Sequence, residues 1–204
     1  MSDRKAHWQK IYQNKSPLDV SWYQKKPELS LQLIHRSLEH KDEAIIDVGG
    51  GASLLVDYLC KEGYSNLSVL DISAHALDSA KHRLEGLAET VEWVECDITE
   101  FVPPQRYALW HDRAVFHFLT EESDRKKYVS VLQRALKPGG NVIIAAFAVG
   151  GPERCSGLEI VQYDASKLLS ALGDGFGLLE EAGESHITPA NKEQEFAYFR
   201  LVRK

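Results

Sequence analysis

A glycine-rich segment is the clearest candidate for chemistry in this 204-residue sequence. The segment Asp47-Val48-Gly49-Gly50-Gly51-Ala52-Ser53 begins at the end of an apolar run, 44–48, and precedes a helical pattern. Glycines let a backbone turn tightly and come close to a ligand, and the start of the following helix presents free N–H groups to an anionic group. The residue types therefore indicate a ligand site at a strand-to-helix junction.

The elements that position this segment are predicted from alternating short apolar runs and helical patterns, which are typical of βαβ units and a mostly parallel sheet. Strands are predicted at 44–48, 67–71, 91–95, 107–112 and 141–149, and helices at 27–40, 54–63, 73–87, 120–136 and 164–173. The last two apolar runs, 177–189 and 194–204, predict an antiparallel pair joined across 189–192.

Two further acids stand at the ends of the next two predicted strands. Asp71 ends the second strand, and Asp97 follows the third strand with Ile98 beside it. A carboxylate can accept hydrogen bonds from two donors at once. Three such junctions in register are more specific than any one of them.

The pattern D-x-G-x-G-x-S at Asp47 resembles the first motif of S-adenosylmethionine-dependent methyltransferases, with Ser53 in place of the third glycine. The segment WHDRAVFHFLT and the turn Lys137-Pro138-Gly139-Gly140 are similar to later segments of the same family. The resemblance, to the class I family, covers about residues 44 to 148. It implies a three-layer, Rossmann-like α/β fold with a mostly parallel seven-stranded sheet and an antiparallel C-terminal strand pair.

The resemblance also implies S-adenosylmethionine as the cofactor and assigns its contacts. Asp71 would accept hydrogen bonds from both ribose hydroxyls, and Asp97 with Ile98 would hold the adenine. The complete set of predicted cofactor-binding residues is Tyr12, Trp22, Asp47, Gly49, Gly50, Gly51, Asp71, Ile72, Asp97, Ile98 and Asp112.

A nicotinamide dinucleotide site is an alternative for the glycine-rich segment, because its GxGxxG fingerprint also follows a strand. Gly49 and Gly51 satisfy the first two glycines, but Leu54 stands where the third belongs. An acid such as Asp71 suits both families and does not separate them.

The end of the fourth strand supplies the catalytic candidates, since Asp112, Arg113 and His117 align with the family positions that face cofactor and acceptor. His117 could act as a base because imidazole titrates near neutrality; the alternative is a packed, structural histidine. Arg113 could pair with a carboxylate. His111 and His186 are weaker candidates for the base.

The two ends of the chain are predicted to cover the site. Residues 1–40 form an N-terminal lid and helix segment, 44–148 the cofactor-binding core, and 149–204 a substrate loop with the C-terminal strands, all within one domain. The aromatic residues near the N-terminus either close over the cofactor or pack on the sheet. The predicted acceptor-binding residues are Trp8, Tyr23, Arg154 and Cys155.

Composition narrows the class of partner. A formal net charge of -6 argues against a protein that follows a nucleic-acid backbone, and no apolar run approaches the roughly 20 residues of a membrane span. The three cysteines are dispersed, which argues against a disulfide framework or a zinc site and favours a reducing compartment. We therefore expect a cytoplasmic monomer or homodimer with no metal, nucleic-acid or membrane partner.

The leading functional hypothesis is a methyltransferase that acts on a small molecule. A protein-lysine N-methyltransferase is the first alternative, although the fourth strand reads HDRA and lacks the asparagine-proline-proline-tyrosine type of motif. A protein that binds S-adenosylmethionine without catalysis is the second alternative.

Overall fold

A seven-stranded sheet with the strand order β3-β2-β1-β4-β5-β9-β8 forms the centre of the computed structural model, which describes residues 3–204. Its strands are β1 (Ile45–Val48), β2 (Leu67–Asp71), β3 (Val91–Glu95), β4 (Tyr107–Arg113), β5 (Leu136–Phe147), β8 (Phe176–Ile187) and β9 (Glu193–Arg203). A short hairpin follows β5 and consists of β6 (Arg154–Cys155) and β7 (Leu158–Glu159). The helices are α1 (Asp3–Asn14), α2 (Glu28–Ser37), α3 (Leu55–Lys61), α4 (Ala74–Leu84), α5 (Glu122–Ala135) and α6 (Ala165–Leu172).

Strands β1 to β5 pair in parallel, and β9 runs antiparallel to both β5 and β8. The predicted mostly parallel sheet with an antiparallel C-terminal pair is thus confirmed. Because β1 to β5 are parallel, their carboxyl ends meet at one edge of the sheet, where ligands bind in open α/β folds.

Apolar side chains cover both faces of the sheet. Along β5, Val142 and Ile144 pack into one core cluster, and Ile143 and Ala145 pack into the other. Successive side chains of a strand point to opposite faces, so a strand that is covered by helices on both sides is apolar throughout. This explains why the central strands read as continuous apolar runs in the sequence.

The fifth strand starts earlier than predicted. Tyr107 pairs with Leu136 and Leu109 pairs with Asn141, so residues 137–140 bulge from the ladder rather than precede it as a turn. A Cβ at Gly140 would lie 2.9 Å from the carbonyl oxygen of Lys137. Glycine at this position lets the bulge close against its own backbone.

Helix α1 has no fully buried residue and lies on the molecule through polar contacts and through the rings of Trp8 and Tyr12. The Gln9 side-chain oxygen accepts from Ser73 Oγ at 3.0 Å, and Gln13 lies 2.8 Å from the His75 ring. Both partners belong to the start of α4, so α1 crosses the carboxyl edge of the sheet there. The absence of a buried stripe explains why no strong hydrophobic period marks this helix in the sequence.

None of the helices within residues 3–204 combines the length and the apolar character that a bilayer crossing requires. The same residues contain no group of three or more His, Cys, Asp or Glu side chains that could hold a metal ion.

Candidate active site

The glycine-rich segment after β1 turns so closely that side chains do not fit. Gly49 and Gly51 have φ angles of +70° and +28°, in the region that favours glycine. A Cβ at Gly49 would lie 2.1 Å from Val115 Cγ2, and one at Gly51 would lie 2.3 Å from Asp71 Oδ2. The backbone of the turn is therefore not covered by side chains of its own glycines where it passes the ends of β1 and β2, and a ligand can approach it there.

A cavity of about 90 Å³, the main cavity, runs along the carboxyl ends of β3, β2, β1 and β4 and reaches the β6–β7 hairpin. Three strand spacings of about 4.8 Å give the row of strand ends a length of roughly 14 Å. In strand order, its lining residues include Asp97 and Ile98, then Asp71 and Ile72, Gly49, Arg113 and Ala114, and Cys155. An extended ligand can thus lie across the strand ends.

Asp71 lies at the end of β2, next to the β3 end of this row, and is 6% exposed. Its Oδ1 accepts from the backbone N–H of Ser73 at 2.8 Å. Burial raises the pKa of the Asp71 carboxyl to about 7, against the lowering effect of the Ser73 N–H. Hydrogen-bond donors from a ligand would favour the charged form of such a carboxyl.

Asp97 lies at the β3 end of the main cavity and is held by two kinds of donor. Its Oδ1 accepts from the backbone N–H of Thr99 at 2.9 Å, and its Oδ2 accepts from Arg4 at 3.0 Å. Arg4 also donates to Asp124 at 2.5 Å, so α1 is tied to two acids across the cavity. Arg4 could not be predicted as a site residue, because no local pattern in the sequence indicates which acids α1 will cross.

The opposite end of the main cavity, named the apolar end here, is lined by Trp8, Trp22, Ala114, Phe118 and Cys155. The Trp8 ring lies edge-on to Trp22 at 5.7 Å and to Phe118 at 5.0 Å between centroids. Tyr12 accepts from the Trp22 indole N–H at 3.3 Å. Ala114 has a φ of +72°, which is uncommon for a residue with a side chain and is frequent at functional sites.

Arg113 lies between β4 and the covering segments with all of its nitrogens engaged. It donates to Tyr198 Oη at 2.8 Å, to the Trp22 carbonyl at 3.1 Å and to Glu184 at 3.3 Å. Its guanidinium also lies 4.2 Å from the centroid of the Phe196 ring. Arg113 thus fastens the segment around Trp22 to the C-terminal strands.

Asp112 is fully buried and does not line the main cavity. Its carboxylate accepts from Tyr128 Oη at 2.6 Å, and from the N–H groups of Val115 at 2.9 Å and Phe116 at 3.2 Å. Burial raises the pKa of the Asp112 carboxyl to about 6. These contacts make Asp112 the cap of the turn that follows β4.

His117 is also fully buried outside the lining of the main cavity. Its ring lies 4.4 Å from Phe118 and 5.0 Å from Phe147 between centroids. Neither ring nitrogen has a hydrogen-bond partner within residues 3–204. Burial lowers the pKa of His117 to about 3, with a further contribution from the charge of Arg113.

A smaller cavity of about 40 Å³ lies on the other side of the glycine turn. Beneath it, Asp47 Oδ1 lies 2.7 Å from His111 Nδ1, and His111 Nε2 lies 2.9 Å from Ser30 Oγ. The second oxygen of Asp47 has no hydrogen-bond partner in the described part of the chain. The first acid of the motif is therefore oriented through one oxygen and free at the other.

The structure brings most of the sequence-predicted residues to these two cavities. Those that line the main cavity are Trp8, Tyr12, Trp22, Gly49, Asp71, Ile72, Asp97, Ile98, Arg113 and Cys155. Asp47, Gly50 and Tyr23 line the smaller cavity, and Gly51 lies against Asp71. Asp112, His117 and Arg154 line neither; the exposed Arg154 donates to the Gly157 carbonyl at 2.8 Å.

Comparison with known proteins identifies a methyltransferase domain family, whose model matches residues 45–140. The human EEF1A lysine methyltransferase 2 is 25% identical over 194 residues, which cover 87% of this chain and 75% of that protein. The ubiquinone/menaquinone biosynthesis C-methyltransferase UbiE of Francisella tularensis is 28% identical over 122 residues, which cover 57% of this chain and 48% of that protein.

Solved structures share the fold over nearly the whole chain. A SAM-dependent methyltransferase from Anabaena variabilis superimposes with a TM-score of 0.76 at 14% identity, covering 100% of this chain and 96% of that one. The N-methyltransferase NodS from Bradyrhizobium japonicum, in complex with S-adenosyl-l-homocysteine, gives 0.72 at 15% identity and covers 99% of both chains.

The geometry of the main cavity fits the cofactor of this family. A bare glycine turn adjoins Asp71, and Asp97 lies one strand further along the same edge. The matched residues 45–140 contain this turn and both acids. The chain carries the methyltransferase domain of the class I, S-adenosylmethionine-dependent family and is an enzyme of that type.

Proposed function

We propose that this methyltransferase acts on a small-molecule acceptor that binds at the apolar end of the main cavity. The observation that carries the proposal is the enclosure of this end by aromatic rings from α1, from the segment after it and from the turn after β4. The cofactor occupies the rest of the main cavity, so an end enclosed by aromatic rings favours a small acceptor.

The cofactor contacts follow from the order of residues along the strand ends. In this proposal Asp71 accepts from the ribose hydroxyls, and Asp97 with Ile98 contacts the adenine. The free oxygen of Asp47 accepts from the amino group at the methionine end. Tyr12 and Trp22 cover the cofactor from above.

When bound, S-adenosylmethionine supplies a methyl group on a positively charged sulfur. The protein contributes mainly by holding the acceptor in line, which can supply roughly 7–11 kcal/mol of the barrier. Aromatic faces near a cationic sulfur add a modest attraction, and Trp8 and Trp22 are suited to this role. The ties between Arg113, Trp22 and Glu184 keep the cover in place and exclude water.

Cofactor affinity should depend on pH through Asp71. The free protein holds this carboxyl with a pKa of about 7, and two hydroxyl donors favour the charged form, so binding releases a proton. We expect affinity to rise with pH up to about 7 and to level off above it, as measured by calorimetry from pH 5.5 to 8.5. In Asp71→Asn the cofactor affinity should be weaker and should no longer depend on pH in this way. If the variant keeps the pH dependence of the wild-type protein, Asp71 does not hold the ribose.

His117 serves in this proposal as a packed residue rather than a base. An imidazole with a pKa of about 3 is a poor proton acceptor, and its unpartnered nitrogens cost about 1–3 kcal/mol of stability. We expect His117→Leu to keep kcat within about threefold and to raise the free energy of unfolding by about 1 kcal/mol. A large loss of kcat with unchanged cofactor affinity would instead make His117 the base that its sequence position suggests.

A protein-lysine acceptor is the second candidate, favoured by the similarity to a lysine methyltransferase across 87% of this chain. One experiment separates the two. The purified protein is incubated with methyl-labelled S-adenosylmethionine and cell extract, and label is measured separately in the small-molecule filtrate and in protein bands. Label in the filtrate supports the proposal, whereas label confined to a protein band supports the lysine alternative.

A further inference from the structure

Among residues 3–204, the apolar end of the main cavity contains no side chain suited to remove a proton from an acceptor near neutral pH. Its lining consists of aromatic rings, Ala114 and Cys155. Burial raises the pKa of the Cys155 thiol, so it stays protonated. Tyr12, at the border of this end, also has a raised pKa because of burial and the charge of Asp71.

Arg113, which also lines the main cavity, and the ionisable groups behind the lining are committed elsewhere. Arg113 pairs with Glu184, and Glu184 also accepts from Gln24 at 2.9 Å. His186 lies 2.7 Å from the Ser21 carbonyl, and burial lowers its pKa. His117 does not line the cavity. Within residues 3–204, Asp71 and Asp97 are the only carboxylates in the main-cavity lining, and both stand toward its β3 end.

This arrangement selects among acceptors by their chemistry. An alkyl amine is largely protonated near neutrality, with a pKa of about 10.4 for lysine, and a hydroxyl must lose a proton when it is methylated. A thiol ionises at about 8.5 and can give up its proton to solvent before it enters. A weakly polar site that excludes water favours the reaction of an anion with the cationic sulfonium, because their attraction is stronger there and both charges disappear. The edges of aromatic rings carry the positive side of the ring quadrupole and make favourable contacts with polarisable sulfur.

We propose that the acceptor is a small thiolate, which arrives at the apolar end already deprotonated. The inference rests on the proposed function as a small-molecule methyltransferase. A lone pair of the acceptor sulfur forms the new S–CH₃ bond while the sulfonium S–CH₃ bond breaks, and that electron pair remains on the sulfur of S-adenosylhomocysteine. One negative and one positive charge disappear, and no proton moves inside the cavity.

The first test compares benzenethiol, phenol and aniline, which share a ring and differ in the acceptor atom. Methylated products are measured by mass spectrometry with the purified full-length protein, and hydrosulfide and 2-mercaptoethanol test the size of the acceptor. Base catalysis contributes about 10²–10⁴-fold, so we expect benzenethiol to react at least about a hundredfold faster than phenol, which must lose a proton. We expect it also to react faster than aniline, whose neutral nitrogen needs no base but carries no charge to cancel that of the sulfonium. The rate should also follow the ionised fraction of each thiol as pH rises.

A matched pair of variants tests the charge of the acceptor. Phe118→Glu and Phe118→Gln place side chains of similar shape at the apolar end and differ in charge. If the acceptor is an anion, Phe118→Glu should raise the KM for benzenethiol on the order of tenfold relative to Phe118→Gln. The affinity for the cationic cofactor should be no lower in Phe118→Glu than in Phe118→Gln. Both variants lose the same ring, so a general loss of packing would not produce this pattern.

The outcomes separate the inference from the function beneath it. Absence of cofactor binding, or label transferred only to protein, would overturn the proposed function itself. Cofactor binding with methylation of phenol or aniline at the rate of benzenethiol, or with no thiol methylated at all, would overturn only the thiolate acceptor. Fast and selective methylation of small thiols supports both.

Discussion

Gly51→Ala is expected to lower the affinity for S-adenosylmethionine at least about a hundredfold. The new Cβ would lie 2.3 Å from Asp71 Oδ2 and 3.0 Å from Ala76 Cβ, so it must displace the carboxylate proposed to hold the ribose. Overpacking costs about 1–3 kcal/mol and a lost charged hydrogen bond about 1.5–3 kcal/mol. At 1.4 kcal/mol per tenfold, their sum of about 2.5–6 kcal/mol corresponds to a loss on the order of a hundredfold or more, which calorimetry can measure.

Gly63→Ala is the matched control for that substitution. Gly63 also has a positive φ, +89°, but a Cβ there would meet only Lys41 Cδ, at 3.9 Å. Both variants carry the backbone penalty of roughly 1 kcal/mol or more for alanine in this region. Gly63→Ala should therefore lose stability and keep its cofactor affinity. Normal cofactor binding by Gly51→Ala would contradict the placement of the cofactor against this turn.

Asp112→Ala is expected to lower the free energy of unfolding by about 3 kcal/mol or more. The substitution leaves the Tyr128 hydroxyl and two backbone N–H groups without their shared acceptor in a fully buried place. Each buried donor without a partner costs about 1–3 kcal/mol. Urea denaturation at pH 7.5 measures the loss, and Asp78→Ala is the control because Asp78 is 54% exposed in an ion pair with Lys81.

The same variant decides between a structural and a catalytic Asp112. A structural cap predicts that Asp112→Ala loses stability, whereas Asp112→Asn retains an acceptor oxygen and more of the stability and turnover. A fully stable Asp112→Ala protein that binds cofactor but has lost turnover would instead assign the carboxylate to the reaction.

The cofactor half of the site could be predicted because its signals are local. Asp47 and Asp71 lie in the last two residues of β1 and β2, the glycines follow β1, and Asp97 lies two residues after β3. The rule that parallel strands share a carboxyl edge then brings them together without further information. The main cavity shows this outcome for Gly49, Asp71 and Asp97.

The acceptor half depends on contacts between distant segments, which no local pattern describes. Arg4 reaches Asp97 because of the path of α1 over the sheet. The orientation of Asp112 depends on the turn after β4, where Ala114 adopts a φ of +72° and the following N–H groups point back to the carboxylate. Alternation along the strand predicts that Asp112 and His111 lie on opposite faces of the sheet. It does not predict that the face with Asp112 is closed to the main cavity.

The hairpin that contains Cys155 could have been predicted from the residues at its turn. Ser156 and Gly157 have φ angles of +51° and +81°, which is the pattern of a tight two-residue turn between antiparallel strands. Serine-glycine between Arg154-Cys155 and Leu158-Glu159 could have indicated a hairpin in place of the predicted irregular loop. Side-chain alternation then gives one buried and one exposed residue, as seen for Cys155 and Arg154.

Calorimetric titration of the purified protein with S-adenosylmethionine, S-adenosylhomocysteine and NADH in parallel tests the central claim most directly. The account predicts saturable binding of both adenosyl ligands at the main cavity, no heat with NADH, and loss of binding in Gly51→Ala but not in Gly63→Ala. Silence from both adenosyl ligands with the folded protein, or a preference for NADH, would contradict it.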